Sequence, residues 1–410
     1  MRRLPAKLWT PALLLALTLW LLALPLWAAS VNVAGRVLGP DGQGVAGALV
    51  SDGVAVTKSD ATGAFRLASQ GGRVVAVTAP ALFTPSGRWW WPAEEAAQVE
   101  AYLNAVHGAL EPQVALLSDP HLVDSHFPTE GFPAPPGGWD LPTRVWERVA
   151  SQVTGLKPAL TVVAGDLCMD ADKGDEAHAE GQMKLAAKSL GLLPAPARAL
   201  PGNHDVRYHD GQNASTVDAS LWRRHLGPTR HVHVLKGMAW IFIDNPGRGQ
   251  GASGQPRSLG HTPPEAIAWL KAVLDILPKE LPLVLVSHYP LASPVVGANP
   301  IYEGGLVKAP GASGMAQRDS DQAAPEIMGL LKGRTMLAFI SGHEHAFHQS
   351  LMALRHGLWQ FTGLPAVCGK WWLGDRTWGP VAFPPGYLLV ALKNTPAGPR
   401  LESRFMEVRF

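Results

Sequence analysis

Cysteine is scarce in this chain of 410 residues, which carries only Cys168 and Cys368. Two cysteines so far apart make neither a disulfide framework nor a thiolate cluster, and whether they pair is left open. At this length a large apolar core is available, so neither crosslinks nor structural metals are needed for stability. An excess of one charge is also lacking. Lysine and arginine number 35 against 33 acidic residues, and without Arg2, Arg3 and Lys7 the balance is 32 to 33, or −1. A near-neutral chain has no electrostatic footprint for nucleic acid, so none is expected as a partner. No internal repeat is visible. With 47% hydrophobic and 17% charged residues, the composition excludes extensive disorder.

The longest apolar run lies at the start. Arg2, Arg3 and Lys7 precede an apolar segment from Leu8 to Trp27, and Ala28-Ala29-Ser30 follow. These three parts predict an export signal over residues 1–30, cleaved near Ser30, and a periplasmic or extracellular protein. The alternative is an uncleaved membrane anchor over residues 8–29, the only membrane contact expected.

Residues 31–88 form short alternating runs broken by Gly39-Pro40-Asp41-Gly42, Ser51-Asp52-Gly53 and Asp60-Ala61-Thr62-Gly63. This spacing predicts a small all-β sandwich, and without a His or Cys cluster its expected role is structural. Trp89-Trp90-Trp91 cannot all face one core, so at least one is expected at a domain interface or exposed. Residues 89–112, rich in Ala and Glu, are expected to be a linker or short helix, with a second domain over 113–410.

From Gln113 the pattern alternates. Strands are expected at Val114–Ser118, Ala159–Ala164, Arg198–Pro201, Trp240–Asp244, Leu283–Ser287 and Met336–Ser341. Helices are expected at 143–155, 178–190, 216–225, 264–277 and 321–332. Such alternation predicts an α/β domain whose ligand site lies at the carboxyl ends of its strands. The long Gly/Pro-rich stretches 126–141 and 292–316 read as surface loops and candidate rims of a cleft.

Polar clusters fall at those strand exits. They are Asp119-Pro120-His121, Gly165-Asp166, Gly202-Asn203-His204-Asp205, His288, and Gly342-His343-Glu344-His345. Asp119 and His121, two apart in extended chain, can reach one cation. Imidazoles, carboxylates and one amide oxygen suit Mn²⁺, Fe²⁺, Zn²⁺ or Mg²⁺. Two divalent ions fit better than one, with Asp166 as the bridging carboxylate and a hydroxide as the other bridge.

In their order, D-x-H, G-D, G-N-H-D, a lone His after a strand and G-H-x-H, these five blocks resemble the calcineurin-like metallophosphoesterases. The resemblance implies a four-layer α/β/β/α sandwich and a dimetal centre hydrolysing phosphomonoester or phosphodiester bonds. It implies one ion on Asp119, His121, Asp166 and His345, and the other on Asp166, Asn203, His288 and His343. His204 would then be free of metal and assist the leaving group, with Asp205 orienting its imidazole. A His paired with a carboxylate suits that role near neutral pH. The implied chemistry is attack on phosphorus by a metal-bridging hydroxide.

A looser resemblance is to a bacterial exported subgroup with an N-terminal β-domain, on Gly44 to Gly53, Gly369-Lys370-Trp371-Trp372 and Pro385-Gly386-Tyr387. There are departures. His121 and Met169 stand where purple acid phosphatases carry Gly and Tyr, so no purple iron centre is expected, and no Arg stands beside Asp166 to grip phosphate. Asp170 is expected to hold a neighbour of the ligands, while His126, His209 and His348 are expected at the rim or behind the ligands, with His209 or His348 able to touch substrate. Trp371 and Trp372 could stack on substrate or pack on the cleft wall. Two other functions compete: a non-catalytic surface-binding protein on this scaffold, and a nuclease of the same superfamily.

Overall fold

The structure is a computed structural model that describes residues 30–106, 112–210, 215–250, 256–295, 319–355, 357–378, 381–395 and 398–410. The expected export signal and most of the 292–316 loop lie outside the described residues. No helix among the described residues is long and apolar enough to cross a membrane.

The N-terminal domain holds β1 (Ser30–Leu38), β2 (Leu49–Ser51), β3 (Val56–Lys58), β4 (Ala64–Gln70), β5 (Val74–Thr78), β6 (Phe83–Pro85), β7 (Trp90–Pro92) and β8 (Val99–Ala105). They form two four-stranded sheets, ordered β4-β1-β8-β6 and β3-β2-β5-β7. Val33, Val50, Phe65, Val77 and Leu103 from both sheets fill the space between them. The segment expected as a linker is therefore corrected: β7 pairs with β5, and β8 pairs with β1 in parallel. The physical reason is a period of two hidden in an Ala/Glu-rich composition. Val99, Ala101 and Leu103 face the core while Glu100, Tyr102 and Asn104 face out.

The second domain begins with β9 (Gln113–Leu117), β10 (Leu160–Val163), β11 (Ala197–Ala199), β12 (Arg207–Asp210) and β13 (Ser215–Asp218). Next come β14 (His231–Leu235), β15 (Met238–Phe242), β16 (Pro246–Gln250), β17 (Pro256–Gly260), β18 (Leu283–Ser287) and β19 (Met336–Ser341). The chain closes with β20 (His348–Leu354), β21 (Gly357–Gly363), β22 (Arg376–Trp378), β23 (Val381–Phe383), β24 (Gly386–Thr395) and β25 (Gly398–Glu407). Among the described residues five helices flank them: α1 (Leu141–Leu156), α2 (Glu176–Leu190), α3 (Ser220–His225), α4 (Pro264–Ile276) and α5 (Ala324–Leu330).

Two sheets, β11-β10-β9-β24-β25 and β14-β15-β18-β19-β21-β20, face each other. Leu116, Val162, Trp240, Val286, Ile340 and Leu388 fill the layer between them. β10, β18 and β19 are apolar on both faces because helices cover their outer sides, as parallel strands require. On one outer face, α1 buries Val145, Trp146, Val149, Ala150 and Val153, a stripe at helical spacing, beside Met183 of α2 and Trp222 of α3. On the other, α4 buries Trp269 and α5 buries Ile327. Truncating Trp146 or Trp269 to Ala would cost about 3–5 kcal/mol. The fold is thus an α/β/β/α sandwich preceded by an all-β domain.

One expected helix, 216–225, is half strand: β13 pairs with β12 before α3 starts at Ser220. The two domains are bonded together. Trp269 Nε1 donates to Ser51 Oγ at 2.7 Å, and Thr78 Oγ1 donates to the Val232 carbonyl at 2.7 Å. Trp89 sits at this junction, 4.0 Å below the Arg198 guanidinium and 5.1 Å from the His231 ring. All three consecutive tryptophans are half-buried.

Candidate metal centre

The carboxyl ends of β9, β10, β11, β18 and β19 open on one spot, and the turn after each delivers a polar block. The turns are tight because glycines let backbones touch. A Cβ on Gly165, at φ +90°, would lie 2.9 Å from the Gly202 Cα and 2.5 Å from His288 Nδ1. Among the described residues nine non-glycines have positive φ, and five of them are Asp119, His121, Asp166, His343 and His345, with Trp371 and Trp372 two more. Left-handed backbone on side-chain-bearing residues concentrates where function over-determines the structure.

The expected ligands assemble into two adjoining groups. In the first, His121 Nε2 is 3.1 Å from His345 Nε2 and 3.6 Å from Asp166 Oδ2, and Asp119 Oδ1 is 3.4 Å from His345 Nε2. In the second, His288 Nε2 is 3.2 Å from Asp166 Oδ2 and 3.1 Å from Asn203 Oδ1. Ligand atoms of Asp166, His288 and His343 lie within 4.8 Å of one another. Donors about 2.1 Å from one ion stand roughly 3.0–3.4 Å apart, so these spacings fit metal binding. Asp166 belongs to both groups.

Tautomers agree with that fit. His288 Nδ1 is 2.9 Å from the Ala164 carbonyl and His345 Nδ1 is 2.7 Å from the Gly369 carbonyl. Each Nδ1 must donate there, which turns a free Nε2 toward the centre. The His343 backbone N–H donates to Asp119 at 3.1 Å, and the His204 N–H donates to Asp166 Oδ1 at 2.9 Å.

Within the protein itself, imidazole protons balance the carboxylates. Burial opposes charge on His288 and His204, but Asp166 overrides it and lifts each to about 9, with Asp172 adding to the effect on His204. His345 is raised too, against burial, by Cys368 and Asp119. His121 moves the other way, held neutral by burial. Ions bound here would displace the protons of His288 and His345.

Two expectations about the surroundings need correction. Asp205 does not orient His204. Its carboxylate accepts the backbone N–H groups of Leu167 (3.1 Å), Cys168 (2.7 Å) and Gly202 (2.8 Å), tying the G-D turn to the G-N-H turn. Burial and the Asp166 charge push it up to about 7. The imidazole of His204 meets Asp172 instead, at 3.4 Å from Nδ1. Asp170 bonds His178 (3.0 Å) and Gln182 rather than any ligand. His209 and His126 are exposed beside Asp218 and Asp124, while His348 is largely buried against Glu344 at 2.8 Å. Both cysteines are free and buried.

Over the centre lies a cavity of about 210 Å³ lined by Asp166, His204, Asp319, His343, Trp371 and Arg376. A larger one, about 580 Å³, lies between the domains and holds none of the motif residues, so size does not mark the chemistry here. Asp172, Asp319 and Arg376 belong to no motif. Only Asp172, two residues after Asp170 and six after Asp166, carried a sequence signal. The two tryptophans divide: Trp372 is buried and donates to the His121 carbonyl at 2.9 Å, whereas Trp371 lies 5.3 Å from the His204 ring and 4.3 Å from that of His121.

Residues 112–347 match the calcineurin-like phosphoesterase family. That is more than half of the chain, which therefore belongs to this family. Among solved structures, a dimetal phosphatase from Danio rerio is 12% identical, covering 73% of this chain and 100% of its own at a TM-score of 0.45. The TT1561 protein of Thermus thermophilus is also 12% identical, with the same coverages and a TM-score of 0.36. No curated protein matches the chain.

Proposed function

We propose that this protein is an exported dimetal phosphoesterase, in which Asp119, His121, Asp166 and His345 hold one ion and Asp166, Asn203, His288 and His343 the other. The observation that carries the reading is the gathering of the other six side chains around Asp166, within a chain of the calcineurin-like phosphoesterase family. When bound, the ions supply Lewis acidity and a water acidic enough to serve as nucleophile at neutral pH. Mn²⁺, Fe²⁺, Zn²⁺ and Mg²⁺ all suit the donors. The rest falls to the protein. Asp119 and Asp166 fix the turns through the N–H groups of His343 and His204. His204, held at Asp172, carries the proton that the leaving alkoxide needs. Export rests on the residue types at 1–30.

Hydrolysis of a chromogenic phosphoester with and without added Mn²⁺ tests the reading. Wild type should turn over in a metal-dependent way. His204→Ala should keep its metal content while kcat falls by about 10²–10⁴. Folded, metal-loaded wild type with no activity on any phosphoester would leave the surface-binding alternative standing.

A further inference from the structure

We propose that Arg376 binds the terminal oxygens of the substrate phosphate and makes the site selective for phosphomonoesters over phosphodiesters, an inference that rests on the phosphoesterase reading above. Arg376 opens β22, paired across the hairpin with Phe383, and lines the 210 Å³ cavity together with Asp166, His204 and His343. Among the described residues its guanidinium has no hydrogen bond and no ion pair, and its Nε is buried without an acceptor. The buried arginines among the described residues have partners for part of the guanidinium, even where, as in Arg198, Nε is also left without an acceptor. Arg230 pairs with Asp244 at 2.6 Å, and Arg198 stacks 4.0 Å over Trp89. A desolvated donor with nothing to donate to is unfavourable for folding alone, and such a group calls for a ligand.

The chemistry of the ligand follows from the group. A guanidinium offers five N–H donors in a planar fork that fits two oxygens of a phosphate, and it stays charged at every working pH. A monoester carries nearly two negative charges near pH 7 and three terminal oxygens; a diester carries one charge and two. One more fixed cation with several donors therefore favours the monoester. No arginine stands beside Asp166 in sequence, and the hairpin after Trp372 brings one to the cavity from a late segment of the chain.

The test compares wild type, Arg376→Ala and Arg376→Lys, each loaded with Mn²⁺ and checked for metal content and melting temperature. Calorimetric titration with inorganic phosphate should show binding weakened about tenfold or more in Arg376→Ala, with Arg376→Lys in between, because it keeps charge but not the fork. The ratio of kcat/KM for p-nitrophenyl phosphate to that for bis(p-nitrophenyl) phosphate should fall about fivefold or more in Arg376→Ala. Unchanged phosphate affinity, or equal losses on both esters, would overturn the proposal. If Arg376→Ala does not fold, Arg376→Gln carries the same comparison. Should wild type hydrolyse neither ester, the functional reading fails, while the phosphate titration still decides whether Arg376 binds the anion.

Discussion

His204 stands between two carboxylates, Asp172 at its Nδ1 and Asp166 at its backbone N–H, and the pair keeps its imidazole protonated. Removing Asp172 takes away one source of that bias, so the pKa of His204 falls and the acid form is lost at lower pH. Asp172→Asn should thus move the alkaline limb of the kcat profile downward and lower kcat about tenfold, with metal content and melting temperature kept. Asp205→Ala should behave oppositely. It strands three buried N–H donors in the turns that carry Asp166 and Asn203, at about 1–3 kcal/mol each, so melting temperature and metal content should fall. The residues that gather around Asp166 were legible in sequence because each follows an apolar run that ends in a turn. Which carboxylate meets His204 was not, since Asp205 is its neighbour in sequence while Asp172 lies far earlier in the chain and reaches the imidazole only through the folding of the loop after Asp166.

At the scale of elements, the centre depends on two loops packed backbone to backbone. A Cβ on Gly202 would collide with the Asp166 carboxylate, whose Cγ would be only 2.8 Å away. Asp166 is common to both ligand groups and has no room to yield, so Gly202→Ala should weaken metal binding about 10–100-fold, measured by competition with a chelator. Gly155→Ala is the control. That glycine lies inside α1 with nothing within 4 Å of an added Cβ, and the change should stabilise by about 0.5–1 kcal/mol. The buried strands read clearly from their unbroken apolar runs. Elements with diluted patterns did not: β8 hides its alternation among Ala and Glu, and β13 occupies what looked like the first half of a helix.

For the whole molecule, the centre couples stability to pH and metal. The folded pKa values of His204 and His288 lie at about 9, above the ordinary 6.5. Their contribution to stability is therefore complete below pH 6.5 and lost as pH rises through 9. With chelator present, the melting temperature should decline across that window. Saturating Mn²⁺ should remove the part of the decline that belongs to His288, because an ion held there requires the neutral imidazole, and loading at pH 7.5 should release protons, detected as a dependence of binding heat on buffer ionisation enthalpy. The domain junction adds a second coupling. Ser51 and Thr78 satisfy Trp269 and the Val232 carbonyl, so the small sheet completes the shell around the outer helix of the larger domain. No sequence pattern announced those pairs, which join residues far apart along the chain.

The left-handed backbone at five of the proposed ligand positions also restricts how this centre can drift. At φ between 40° and 70°, Asp119, His121, Asp166, His343 and His345 occupy a region where Asp, Asn and His are favoured and β-branched or bulky residues are penalised. Mutations reaching these positions are screened by chain geometry before any metal is met. The residue types that pass supply oxygen and imidazole nitrogen, so the hardness of the metal this enzyme can recruit is written into its turns as well as its side chains.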